Sequence, residues 1–350
     1  MEGEQAVLVT GGSGFLGGWC VVAALKDGYR VRATVRDLAR EREVRECIAS
    51  QIDAGDRLEL LRADLTEDAG WTDAMAGCDY VLHVASPFPP KQPKDADELI
   101  VPAREGTLRV LRAALDAGVK RVVATSSLAA VRNDRGGALH GEREMTEEDW
   151  SDPSDPHMTP YAQSKVLAER AAWELVRERG GQQRLTTIQP GAIAGPVLGT
   201  DRSYSLRAIE RLLDGEMPGL PKLGFAFSDV RDLAALHVKA MTAPAAGGQR
   251  LLAAGDFLWF ADVARILREH LGPDARKVPT RQVPNFVVRA MALVDPEVRS
   301  VSDELGWKVN CSWENARRCT GWAPRPVQET ILDCARSLLE QRATAAVAAS

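Results

Sequence analysis

A doubly wound α/β fold, a parallel sheet covered by helices on both faces, is the architecture this 350-residue sequence predicts. Three observations predict it. Up to residue 190, short apolar runs rich in β-branched residues alternate with longer helical runs, the texture of strands buried on both faces. A glycine-rich turn follows the first apolar run and opens the first helical one, which separates a nucleotide fingerprint from a chance glycine cluster. The residues with chemical potential fall at the carboxyl ends of the expected strands, where such sheets bind ligands.

The first strand covers residues 6–10, and the turn Thr10-Gly11-Gly12-Ser13-Gly14-Phe15-Leu16-Gly17 comes next. An amphipathic helix then runs from Phe15 to Asp27 and stops at Gly28. In the spacing Gly11-x-x-Gly14-x-x-Gly17, Gly11 permits a tight turn and Gly14 lets the backbone approach a pyrophosphate. Gly17 lets the helix pack on the strand. The unsatisfied N–H groups at the helix start, from Ser13 through Phe15 and Leu16, face the anionic ligand. Further strands are expected at 30–36, 58–62, 80–85, 121–126 and 185–189. Helices are expected at 99–117, stopped by Gly118, and at 160–179, stopped by Gly180. Right-handed crossovers through six such strands give the doubly wound sheet.

After Pro190 the texture changes. Residues 191–221 are rich in Gly, Pro and Ser around one short helix, and 278–296 carry three prolines among apolar residues. Such segments suit a lid over a pocket. One more strand is expected at 250–253, and helices at 259–271 and 326–342. The expected organisation is a nucleotide-binding domain over 1–190, to which 225–255 returns. A smaller, mostly helical C-terminal substrate-binding part, 191–224 and 256–342, caps it, and 343–350 form a disordered tail.

Composition excludes several classes. Hydrophobic residues make up 45% and charged residues 27%, and the net charge of −5 favours neither nucleic acid nor a membrane surface. No apolar run is long enough to span a bilayer, and the N-terminus lacks a signal-peptide layout. Cys20, Cys47, Cys78, Cys311, Cys319 and Cys334 form no Cys-x-x-Cys pair, and His83, His140, His157, His237 and His270 are scattered. The expectation is a reduced, cytoplasmic, metal-free enzyme, monomer or homodimer, with buried cysteines and with His83 and His237 as core histidines.

The chemistry is carried by Tyr161-Ala162-Gln163-Ser164-Lys165. Four residues apart on a helix, Tyr161 and Lys165 project from one face. A phenol titrates near ~10, and a neighbouring ammonium favours its phenolate, so the pair is an acid–base device moved toward neutral pH. The second strand ends in Thr34-Val35-Arg36-Asp37, and Arg36 suits a ribose 2′-phosphate through charge-assisted bonds, which favours NADP(H) over NAD(H). Asp64-Leu65 at the next strand end is placed to meet adenine, and Ala85-Ser86 leaves room for the cofactor's backbone.

Together with Thr125-Ser126-Ser127, these motifs resemble the extended short-chain dehydrogenase/reductases, a Rossmann-fold family. Within it the chain resembles the dihydroflavonol 4-reductase and cinnamoyl-CoA reductase branch, which includes microbial aldehyde and ketone reductases. His83-Val84-Ala85-Ser86-Pro87, Glu147 to Ser151 and Ile188-Gln189-Pro190-Gly191 are the branch-like details. The resemblance implies NADPH-dependent reduction of a carbonyl, with Tyr161 as proton donor and Ser127 polarising the carbonyl; Ser126 is the fallback for the serine. Lys165 would bind ribose hydroxyls and hold the tyrosine's pKa down. Pro190, Gly191 and Ile193 would line the nicotinamide, and Ser203 to Ser205 would approach the pyrophosphate. Where many relatives place a relay asparagine, this chain has Glu105 before Gly106.

Two other readings share the fold. A sugar-nucleotide epimerase or dehydratase would usually offer arginine and asparagine after the sixth strand, where this chain reads Gln189-Pro190-Gly191-Ala192-Ile193-Ala194-Gly195. A non-catalytic NADP(H) sensor would tend to have lost the tyrosine or lysine. Substrate choice is expected in segments 87–93, 131–156, 198–205 and 217–227. Their apolar residues Phe88, Pro89, Leu220, Phe225 and Phe227 suggest an apolar or aromatic carbonyl compound.

Overall fold

Seven parallel strands form the large sheet of the computed structural model, which describes residues 5–87, 95–131, 144–156, 158–200, 203–293, 298, 302 and 304–348. Phe88, Pro89, His140 and His157 lie outside the described residues. The strands are β1 (Ala6–Thr10), β2 (Arg30–Val35), β3 (Leu58–Arg62), β4 (Tyr80–His83), β5 (Arg121–Thr125), β6 (Leu185–Pro190) and, much later, β10 (Arg250–Ala253). Their spatial order is β10-β6-β5-β4-β1-β2-β3, so the winding reverses between β1 and β4. Helix α1 (Phe15–Lys26) lies on one face beside α7 (Val230–Thr242). Helices α4 (Asp97–Asp116) and α5 (Pro160–Glu178) pack together on the other. Val7, Val9, Ala33 and Leu82 point toward the first face, Leu8, Val81 and Val122 toward the second, as alternation in a sheet buried on both sides requires.

The strand ends show how side chains take over from the ladder. Strand β4 stops at His83 rather than at residue 85, because the N–H groups of Val84 and Ala85 both donate to Thr10 Oγ1, each at 3.0 Å. Helix α5 opens where Thr159 accepts from the Ala162 N–H, with Pro160 in its first turn.

The remainder builds a second core. Strands β7 (Ala192–Ala194), β9 (Gly224–Asp229) and β11 (Phe257–Trp259) form a three-stranded sheet, and β8 (Leu220–Pro221) pairs with β12 (Gln282–Val283). Against them pack α6 (Tyr204–Asp214), α8 (Phe260–Leu271) and α11 (Val327–Ala348), through Leu206, Ile209, Phe227, Val263, Ile331 and Leu338. Phe15, at the start of α1, touches both this core and the core under the large sheet.

Three expectations are corrected here. Residues 191–221 are not wholly irregular apart from one helix, since β7 and β8 lie within them; strands of two or three residues carry no readable period. The chain returns to the large sheet at Val230, not at 225, because residues 224–229 pair with β7 and β11. Helix α11 runs on to Ala348, past the start of the expected disordered tail, since alanine is the strongest helix former. Among the described residues, no helix is long and apolar enough to cross a membrane, and all six cysteines are free.

Candidate active site

A cavity of about 940 Å³ opens at the carboxyl ends of the strands, at the reversal between β1 and β4. All the residues singled out from the sequence for catalysis or cofactor binding line it.

At one end is the glycine turn. Gly11 has φ of 72°, the left-handed conformation that a bare backbone adopts freely, and its carbonyl accepts from the Gly14 N–H at 2.9 Å. A Cβ on Gly17 would stand 2.0 Å from that same carbonyl oxygen. Gly17 therefore lets α1 pack on the turn itself rather than on the strand. The approach to the strand falls to Gly12, whose added Cβ would stand 2.8 Å from the Ala33 Cβ. Gly14 caps α1 with no side-chain hydrogen bond, and Ser13, Phe15 and Leu16 complete a first turn whose N–H groups are available to an anion. This cradle fits the pyrophosphate of a dinucleotide.

Arg36 is exposed on the cavity wall after β2. Its neighbours are committed elsewhere: Arg40 pairs with Glu43 at 2.9 Å, Arg42 with Glu46 at 2.7 Å and Arg45 with Glu41 at 2.8 Å. Asp37 caps the following turn by accepting from the Ala39 N–H. Arg36 lines the cavity, whereas Arg40, Arg42 and Arg45 do not. Asp64 Oδ1 accepts from the N–H and hydroxyl of Thr66, and these bonds, with Arg36 and Arg62 nearby, hold its carboxyl below the usual range. Leu65 packs against Gly106, where a Cβ would approach it to 2.8 Å.

Tyr161 and Lys165 lie across the sheet, on α5. Tyr161 is half-buried, Lys165 is buried, and the Lys165 Nζ sits 5.7 Å from the centre of the tyrosine ring. Lys165 also donates to Ser86 Oγ at 3.0 Å, so Ser86 does more than leave space for a cofactor. The two candidate serines separate cleanly. Ser126 is buried and donates to Glu169, whereas Ser127 accepts from the Ala129 N–H at 3.1 Å, which leaves its own O–H for a ligand. Thr125 is bonded to His237 Nε2 at 2.7 Å, and burial holds that imidazole down to about 4. His83, bonded to Thr10 Oγ1 at 2.9 Å, is held down to about 3 by burial and by the charge of Lys165. Both histidines are neutral core groups. Among the described residues, no three His, Cys, Asp or Glu side chains cluster as metal ligands would.

Gly191, after Pro190, abuts β9 so closely that a Cβ would stand 2.1 Å from the Ala226 carbonyl oxygen. Ile193 lines the wall beyond, and Ser205 donates to its carbonyl. Glu105 is partly exposed, pairs with Arg104 at 2.9 Å, and does not line the cavity. The cavity wall also includes residues the sequence did not single out: Leu128, Ala129, Met158, Val309 and Arg207. Trp307 lines the wall beside them. Their segments are far apart in the chain, and no local pattern marks them.

The strand order, the glycine cradle and the Tyr161–Lys165 pair define an extended short-chain dehydrogenase/reductase. The chain belongs to the NAD dependent epimerase/dehydratase family, whose pattern it matches over residues 7–255. It is 37% identical over 267 residues to cinnamoyl-CoA reductase 1 of Petunia hybrida, covering 75% of this chain and 76% of that one. It is 32% identical over 266 residues to an anthocyanidin reductase of Vitis vinifera, covering 73% and 78%. Among solved structures, yeast methylglyoxal/isovaleraldehyde reductase complexed with NADPH matches with a TM-score of 0.81 at 24% identity, over 97% of this chain and 99% of that one. A UDP-glucose-4-epimerase from Stenotrophomonas maltophila with bound NAD reaches 0.76 at 20% identity, over 98% and 100%, so the fold alone does not separate reductase from epimerase.

Proposed function

We propose that this chain is an NADPH-dependent oxidoreductase that reduces the carbonyl group of an apolar or aromatic aldehyde or ketone to the alcohol. The observation that carries this reading is a single cavity holding the glycine cradle, Arg36, Lys165, Tyr161 and Ser127, with Leu128, Met158, Phe225 and Trp307 among its other lining residues. The relatives sharing a third of its residues are reductases by name, which supports the same reading.

When bound, NADPH supplies a hydride to the carbonyl carbon. The chain's own residues manage the oxygen. Ser127, which accepts from the Ala129 N–H with one of its lone pairs, gives its own hydrogen to the carbonyl oxygen. Tyr161 gives that oxygen a proton. The Lys165 ammonium, 5.7 Å from the ring centre, steadies the tyrosinate left behind and would hold the ribose hydroxyls. Two donors lining one cavity with a nearby cation would form a preorganised site for negative charge developing on oxygen.

The test is a panel of aromatic aldehydes, β-keto esters and dihydroflavonols with NADPH. One NADPH should disappear for each alcohol formed. No net consumption with any of them, alongside isomerisation of a sugar nucleotide, would replace this reading with the epimerase one. The coenzyme choice has its own test. Arg36→Ala should raise KM for NADPH roughly ten- to a hundredfold, the loss of about 1.5–3 kcal/mol in a charge-assisted bond, and leave KM for NADH unchanged. Equal effects on both coenzymes would show that Arg36 does not read the 2′-phosphate.

A further inference from the structure

The face of α5 that presents Tyr161 and Lys165 continues, four residues on, into Glu169. Its side chain is only 1% exposed, yet it is surrounded by donors. The hydroxyl of Ser126 donates to it, as do Thr187 Oγ1 at 2.9 Å, Gln189 Nε2 at 2.7 Å and Arg250 Nε at 2.8 Å. Ser126 follows β5, Thr187 and Gln189 lie on β6, and Arg250 opens β10. One carboxylate therefore ties three neighbouring strands to the helix that carries the tyrosine.

Arg250 extends the tie outward. Its Nη1 donates to the carbonyls of Glu147 and Asp149 at 2.6 and 2.7 Å, and its guanidinium lies 3.6 Å from the centre of the Trp150 ring. Ser151 then bonds back to the turn that follows Ser127, its hydroxyl donating to the Ala129 carbonyl at 2.8 Å and its N–H to Ala130 at 3.0 Å. The circuit closes on the serine proposed to hold the substrate oxygen.

Stability does not account for a charged pair here, because well-packed apolar groups in place of a buried ion pair are often neutral or stabilising. Geometry does. We propose that Glu169 and Arg250 are positioning residues: they fix the separation between the Ser127 turn and the Tyr161 helix face and pin segment 147–151 against that turn. The proposal rests on the reading of Ser127 and Tyr161 as the two donors to the carbonyl oxygen.

Two variants test it. Ser126→Ala cuts only the tie between the end of β5 and Glu169, and Glu169→Leu/Arg250→Met removes both charges together. Thermal midpoint, NADPH affinity, kcat and KM are measured for each. The expected result is a five- to tenfold lower kcat for S126A and a ten- to hundredfold lower kcat for the double variant. NADPH affinity should stay within twofold of the parent and S126A should melt as the parent does, a split that a purely structural role would not produce. Should the double variant not fold, S126A decides alone. A kcat within twofold of the parent in folded S126A overturns the proposal. Tyr161→Phe, assayed alongside, separates the two ideas: if it is inactive while S126A is fully active, only the positioning role falls.

Discussion

Tyr161→Phe is expected to lower kcat by roughly a hundred- to ten-thousandfold, the range a positioned proton donor supplies, while NADPH binds as before. That corresponds to about 3–5 kcal/mol of barrier. The substitution keeps the ring, its place in the first turn of α5 and its contact with the Lys165 ammonium, and removes only the hydroxyl. Lys165 retains its bond to Ser86, so the cation stays in place. On the proposed mechanism Ser127 would remain as a second donor, so some turnover should persist. Single-turnover rates measure the chemical step, and a fluorescence titration with NADPH checks binding. Undiminished turnover would remove the tyrosine from the chemistry.

Gly17→Ala should weaken NADPH binding by about ten- to a hundredfold and lower the melting temperature, although alanine is ordinarily the better helix residue by about 1 kcal/mol. The reason is local. The new methyl would stand 2.0 Å from the Gly11 carbonyl oxygen and 2.8 Å from its carbon, and neither atom belongs to a flexible side chain. Either α1 or the turn must shift, and both carry N–H groups of the phosphate cradle. Overpacking of this kind typically costs about 1–3 kcal/mol. Gly18 supplies the control on the same helix. A Cβ there would meet only Leu198 at 3.6 Å and the Gly12 carbonyl at 3.7 Å, ordinary contacts, so Gly18→Ala should bind NADPH normally and melt no lower than the parent. Parallel titrations and melts of the two variants decide it; equal behaviour would show that the cradle tolerates displacement.

The large sheet was legible from the chain because its strands are short, mostly buried runs rich in aliphatic and β-branched residues, bounded by glycine or polar turns. The cofactor side was legible for a related reason: the glycine spacing, Arg36 and the Tyr161–Lys165 pair are local patterns with local causes. The small sheet was not. Its strands of three to six residues owe their existence to partners far along the chain, as Ala192 does to Phe227 and Phe257 to Ala226. The bond of Ser126 to Glu169, forty-three positions downstream, has no local mark, and the preference for Ser127 came from the resemblance alone. Glu169 itself stands four residues after Lys165, a spacing visible in the chain, but its partner Arg250 has no local mark.

The late arrival of β10 decides what can be cut from this protein. Its four residues seal the β6 margin of the sheet only after the chain has threaded through β7, α6, β9 and α7. A fragment ending at residue 190 would bare that margin to other chains and strand the Glu169 carboxylate without its guanidinium. The nucleotide-binding half is thus no detachable module, and a graft onto another scaffold must carry the segment through Ala253 with it.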